Sequence, residues 1–113
     1  MTSKSVGDLI SWLKYFDAEY IEEETFDRLK SLDVNSSVDQ IEIIEIAVIP
    51  EFIQMNDISK ESMKKILREC MNLSDGQLSE IFSRVEIPFL TTVNDRPSFL
   101  RVIYSYLFET GKI

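Results

Sequence analysis

An all-α protein is predicted by three observations. Apolar residues recur at i, i+3 and i+4 in at least five segments, the period of a helix with one buried face. Three of those segments begin with helix-start chemistry, a capping box or an apolar staple. The 113 residues contain only three Gly and three Pro, which favours helices joined by short turns over a many-turned sheet. Six helices are expected, packed as a compact bundle or as stacked hairpins.

The first runs from about Ser5 to Phe16, with Ser5 and Asp8 as a capping-box variant and Leu9, Trp12, Leu13 and Phe16 at helical spacing. The second, from about Glu22 to Leu32, aligns Phe26, Leu29 and Leu32. Its first turn holds Glu22, Glu23 and Glu24, where acids favour the positive end of the helix dipole. Residues Asp33 to Ser36 stop it. Ser37 and Gln40 then form a capping box that announces a third helix. The following Ile41 to Ile49 is rich in β-branched residues that favour strands. Strand alternation breaks at Ile43-Ile44, however, and Ala47 falls where a strand would place a polar residue. A largely buried helix is therefore expected, with Ile41, Ile44 and Val48 inward, Asp39, Glu42 and Glu45 outward, and a kink or end near Pro50.

The fourth helix opens at Ile58-Ser59 with a staple from Ile58 to Met63, and continues its stripe through Ile66, Leu67, Cys70 and Met71. The fifth opens at Leu73-Ser74, with Gln77 completing a capping box and Leu78 the staple. Leu78, Ile81, Phe82 and Val85 follow until Pro88. The last starts near Asp95 with Pro97 in its first turn, turns Phe99, Val102, Ile103 and Tyr106 inward, and stops at Gly111. The expected core is Leu9, Trp12, Leu13, Phe26, Leu29, Ile41, Ile44, Ile66, Leu67, Ile81, Phe82, Val102 and Ile103.

A chain of this length suits one helical domain spanning residues 1–113, and 44% apolar residues are too many for a disordered acidic tail. Cys70, the only cysteine, permits no internal disulfide and fits a reducing compartment. The N-terminal Met1-Thr2-Ser3-Lys4 lacks the apolar run of a signal peptide, and Ile46 to Ile49 is far too short to span a membrane. A cytoplasmic location is expected.

Catalysis is not expected. There is no histidine, which removes the commonest general base, the commonest metal ligand and every Ser-His or Cys-His pair. No glycine array cradles phosphate. Asp75-Gly76 fails as a calcium loop, because the register puts Met71 first and Phe82 twelfth, where oxygen ligands are required. Cys70 lies on an apolar stripe and reads as a small buried hydrophobe. No metal or cofactor is expected.

The acids are unevenly distributed. Residues 17 to 57 hold twelve acids and two bases, Arg28 and Lys30, a net of −10, while the rest of the chain nets +2. The C-terminal half interleaves opposite charges, as in Glu61–Lys65, Lys65–Glu69 and Glu80–Arg84. The acidic segment instead repeats like charges, Glu23 with Asp27 and Asp39 with Glu42. Each such pair costs about 0.2–0.5 kcal/mol in an isolated helix. Tyr15 and Tyr20 flank the first cluster, and charge with aromatic area describes a protein-binding patch. The candidate partner-binding residues are Asp17, Glu19, Tyr20, Glu22, Glu23, Glu24, Asp27, Asp39, Glu42 and Glu45. A basic protein is the expected partner. Nucleic acid and anionic membranes would be repelled at a pI near 4.5.

In size, acidity, absence of histidine and helical pattern, the chain resembles the bacterial immunity proteins that neutralise colicins or contact-dependent growth inhibition toxins. That resemblance implies an inhibitor of a cognate toxin domain, often a basic nuclease, whose substrate surface its acids occupy; a monomer is expected. The residues named above come from the charge distribution, and none is carried over from that family. Two alternatives stand beside it. A nucleic-acid mimic would spread its acids widely at phosphate-like spacing. An oligomeric helical scaffold or adaptor would expose apolar surface, for which Phe52, Ile53 and Met55 after Pro50 and Phe89-Leu90 after Pro88 are available.

Overall fold

The computed structural model describes residues 3–17, 21–85, 89 and 93–109. Those residues form six helical bodies and no strand. Helix α1 (Ser3–Leu13) tightens into a 3-10 turn (Lys14–Phe16), and α2 is Glu23–Leu29. Helix α3 (Ser37–Ile43) widens into a π segment (Ile44–Val48) and resumes as a last α turn (Ile49–Phe52). Then follow α4 (Asp57–Cys70), α5 (Asp75–Phe82) and α6 (Arg96–Phe108). None is long and apolar enough to cross a membrane.

Helix rather than strand is thus the state of Ile41 to Ile49, and Pro50 neither ends nor simply kinks it. Proline has no N–H to donate, and its ring crowds the carbonyl four residues back, here Ile46. The π segment upstream opens the spacing, and the Ile49 N–H donates to the Ile44 carbonyl five residues back. The inward stripe is Ile43, Ile44, Ala47 and Val48. Ile41, expected inward, stays half-buried at the edge.

Helix starts follow local chemistry, with two corrections. Ser74 and Gln77 form the expected capping box, each side chain bonded to the other residue's backbone N–H. Asp95 accepts from the Ser98 N–H at 3.0 Å and caps α6. Helix α4, however, starts from Asn56, whose side chain accepts from the Ser59 N–H at 2.8 Å. Ile58 therefore sits in the first turn, 81% exposed, and no staple reaches Met63. The Ser37–Gln40 box does not form either: Gln40 Nε2 donates to the Val34 carbonyl at 2.7 Å, and Asp39 accepts from the Asp33 N–H at 2.9 Å. The Ser5–Asp8 side chains, Pro88, Leu90 and Gly111 lie outside the described residues. These caps give a paired test: Asp95→Ala should lose about 1 kcal/mol in urea melts. Ser36→Ala should lose about 0.5 kcal/mol or less, because the Ser36 hydroxyl caps nothing although it opens α3.

The core lies where α1, α4, α5 and α6 meet, with α3 laid across α6 and the end of α1. Phe99 is at its centre, 1% exposed, with ring centroids 5.8 Å from Phe16, 6.2 Å from Phe89 and 6.5 Å from Phe82. Leu9, Leu13, Leu29, Ile44, Ile66, Leu67, Ile81, Phe82 and Ile103 are buried as expected. On α6 the inward face is Phe99, Leu100, Ile103 and Leu107, while Val102 and Tyr106 are half-buried. Trp12 packs half-buried against the core, and Phe26 is half-buried outside it. Of the apolar residues near the two prolines, Phe52 and Phe89 are buried, Met55 packs on the core, and Ile53 is exposed. Asp75 clips α5 to α6, taking Arg96 Nη1 at 3.1 and 3.3 Å and the Arg96 N–H at 3.2 Å. The radius of gyration is 13.1 Å, close to the ~13 Å of a compact chain about this long.

Candidate functional site

Helix α2 packs chiefly against the π segment of α3, outside the aromatic core. The two helices bound a valley that divides into two grooves sharing Ile46. The upper groove, about 800 Å³, is lined by Arg28, Ser37, Val38, Ile41, Glu42, Glu45 and Ile46. The lower, about 460 Å³, is lined by Lys14, Tyr15, Ile21, Glu22, Thr25, Ile46, Ala47, Pro50 and Glu51. Glu22, Thr25 and Arg28 recur at i, i+3 and i+6, so a single face of α2 forms one wall.

Of the sequence-predicted residues, three converge on this valley: Glu22, Glu42 and Glu45, all exposed. Glu23, Glu24 and Asp27 are also exposed on α2 but line neither groove. Asp27 is held by Lys30 at 3.1 Å, an ion pair in which both side chains are more than half exposed and which is worth little. Asp39 is half-buried, with its carboxylate engaged at the Asp33 N–H. Asp17 is buried at 8% exposure and so lies off the solvated face. Glu19 and Tyr20 lie outside the described residues.

The valley also recruits residues outside the candidate binding set. Glu51 adds a fourth carboxylate to the rim, and Ile21, Val38, Ile41 and Ile46 give apolar surface. Val38 is 76% exposed. Its signal in sequence was an aliphatic residue in an acidic first turn, where the helical period gave it no inward place. Burial first, then the Glu51 carboxylate, raises the Tyr15 pKa above its ordinary value of 10.0. Tyr106 on α6 is raised likewise, by desolvation, by the Glu45 charge and by the hydrogen bond between its hydroxyl and Glu45. Both tyrosines remain neutral hydroxyls at pH 7, and Glu45 is steadied from α6.

Among the described residues, no three or more Asp, Glu or Cys side chains converge as a metal site. Cys70 is fully buried, and that burial, with the Glu69 charge second, pushes its thiol up to about 11 from 9.0. A pKa raised on folding stabilises the native state below the unfolded value, and that contribution is lost as pH climbs to the folded value. Stability should therefore decline from about pH 9 to pH 11 more steeply than in Cys70→Ala, as read from urea midpoints at each pH. Equal slopes would place the thiol in a wetter site than its burial indicates.

Family models, curated proteins and solved structures provide no match to this chain. The site therefore stands on its own geometry and charge.

Proposed function

We propose that this protein is a non-catalytic inhibitor of the immunity type. It binds and neutralises a basic protein toxin, a nuclease, through the acidic face built by α2 and α3, and acts in the cytoplasm as a monomer. One observation carries the proposal: a net of −10 within residues 17 to 57, in a chain whose remainder nets +2. Such a field draws a cationic cleft toward it and speeds encounter. The exposed carboxylates of Glu22, Glu42, Glu45 and Glu51 are then placed to pair with the Lys and Arg groups that would otherwise grip substrate phosphates. The apolar surface of Val38, Ile41 and Ile46 between them supports protein binding over simple anion display, because desolvated aliphatic contact lowers the dissociation rate.

The test is capture from the source cells with the wild-type chain and, in parallel, with Glu22→Gln/Glu42→Gln/Glu45→Gln. Mass spectrometry should identify a basic protein retained by the first and lost from the second. Its nuclease activity should fall to background at one equivalent of wild-type chain. Retention of that protein by both chains, or a captured nuclease that remains active, would refute the proposal.

A further inference from the structure

The valley between α2 and α3 has a shape that restricts what can lie in it. Its α3 wall runs from Val38 to Glu51, a length of about 20 Å at 1.5 Å per residue. Both walls are helical, so the valley offers no strand edge for an extended segment to pair with. An extended segment laid there would leave its own N–H and C=O groups without protein partners. A helix satisfies its own backbone and presents only side chains. The valley's surface is mixed in a matching way: aliphatic at Val38, Ile41 and Ile46 and anionic at Glu42 and Glu45, with Arg28 of α2 facing them from the other wall.

We propose, on the basis of the inhibitor function above, that this valley receives one amphipathic helix of the partner. Its apolar stripe rests on Val38, Ile41 and Ile46, and its lysines or arginines flank the stripe toward Glu42 and Glu45. Four glutamates (Glu22, Glu42, Glu45 and Glu51) against two bases (Lys14 and Arg28) leave the valley net negative, so charge complementarity selects a cationic helix over an acidic one. The exposed Val38 supplies the contact that a purely electrostatic encounter would not use. Helix-in-groove docking of this kind reads anchors at i, i+3, i+4 and i+7, and between about three and four turns fit the length available.

The probe is a Leu/Lys amphipathic peptide of about 18 residues, long enough to fill the valley. A scramble of the same composition without an apolar stripe and a Leu/Glu counterpart serve as controls. Each is titrated into the full ¹⁵N-labelled chain at about 0.1 M salt, where the screening length is about 10 Å. The Leu/Lys helix should bind at least about tenfold more tightly than the scramble and shift amides of Arg28, Val38, Ile41, Glu42, Glu45 and Ile46. Val38→Ser should weaken the helix by about tenfold, the loss expected for one buried aliphatic side chain, and leave the scramble unchanged. Because Val38 is 76% exposed, this variant keeps the fold, and Ile41→Ser repeats the test from the half-buried side. If helix and scramble bind alike and neither variant matters, the valley is not a helix site, although the electrostatic inhibitor function stands. If the Leu/Glu peptide binds as well as the Leu/Lys peptide, both proposals fall. Shifts confined to Ile53, Ile58 or α4 would overturn the assignment. So would the same valley shifts arising on concentrating the chain alone, which would make a second copy the occupant.

Discussion

Replacing Phe99 by alanine should destabilise the protein by about 3–5 kcal/mol, a large part of the stability of a domain this size. Phe99 is 1% exposed and touches three other rings, Phe16, Phe82 and Phe89, which come from the 3-10 turn after α1, from α5 and from the segment between α5 and α6. Its removal leaves a cavity bordered by separate elements, and no single side chain can swing in to fill it. Ile66→Ala and Phe82→Ala belong to the same class, at about 2–5 kcal/mol each. Ile41→Ala removes a half-buried side chain at the edge and should cost roughly 1 kcal/mol. Urea unfolding of these variants gives the ranking. Equal losses at Phe99 and Ile41 would mean that the inward faces are misassigned.

Neutralising Glu22, Glu42 and Glu45 together should slow association with the proposed toxin partner by about ten- to a hundredfold. Neutralising Glu61, Glu80 and Glu109 should change it by about twofold or less. The two sets remove the same formal charge, so a difference between them isolates position. The first set lines one valley within the acidic segment, whereas Glu61 and Glu80 lie on α4 and α5 beside bases. Inhibition titrations against the captured nuclease report the effect directly, and circular dichroism checks that the fold is intact. A third set, Glu23, Glu24 and Asp27, contributes to the same field without lining the valley. It should fall between the other two. Identical behaviour of all three sets would remove the acidic segment as the interface.

The fold was legible in sequence because periodicity and capping act locally. Ser74-Gln77 and Asp95-Pro97 mark helix starts with residues whose bonding partners lie three positions away. What escaped is what neighbours decide. The π segment answers a conflict between Pro50 and the carbonyls behind it, and which helical stripe faces inward, Ile43, Ile44, Ala47 and Val48 rather than one through Ile41, is decided by the elements packed on it. Asn56 outcompeted Ser59 as a cap because its carboxamide oxygen reaches the Ser59 N–H.

The candidate site was legible only as a charge. Sequence placed Glu22, Glu42 and Glu45 in an acidic segment, yet it could not tell them from Asp39, whose carboxylate closes the turn before α3. Nor could it tell them from Asp17, which packs away from solvent. The aliphatic half of the valley, Val38, Ile41 and Ile46, exists only once α2 lies against α3. The charge count holds no trace of it.

The most direct measurement is the association rate of the wild-type chain with the captured toxin as salt is raised from about 0.01 M to 1 M, over which the screening length falls from about 30 Å to 3 Å. An interface steered by the acidic α2–α3 face predicts a rate that drops by at least about a hundredfold across that range, with a much smaller change in the dissociation rate. A rate that stays within about twofold throughout would contradict the account, because the concentrated charge of residues 17 to 57 would then play no part in finding the partner.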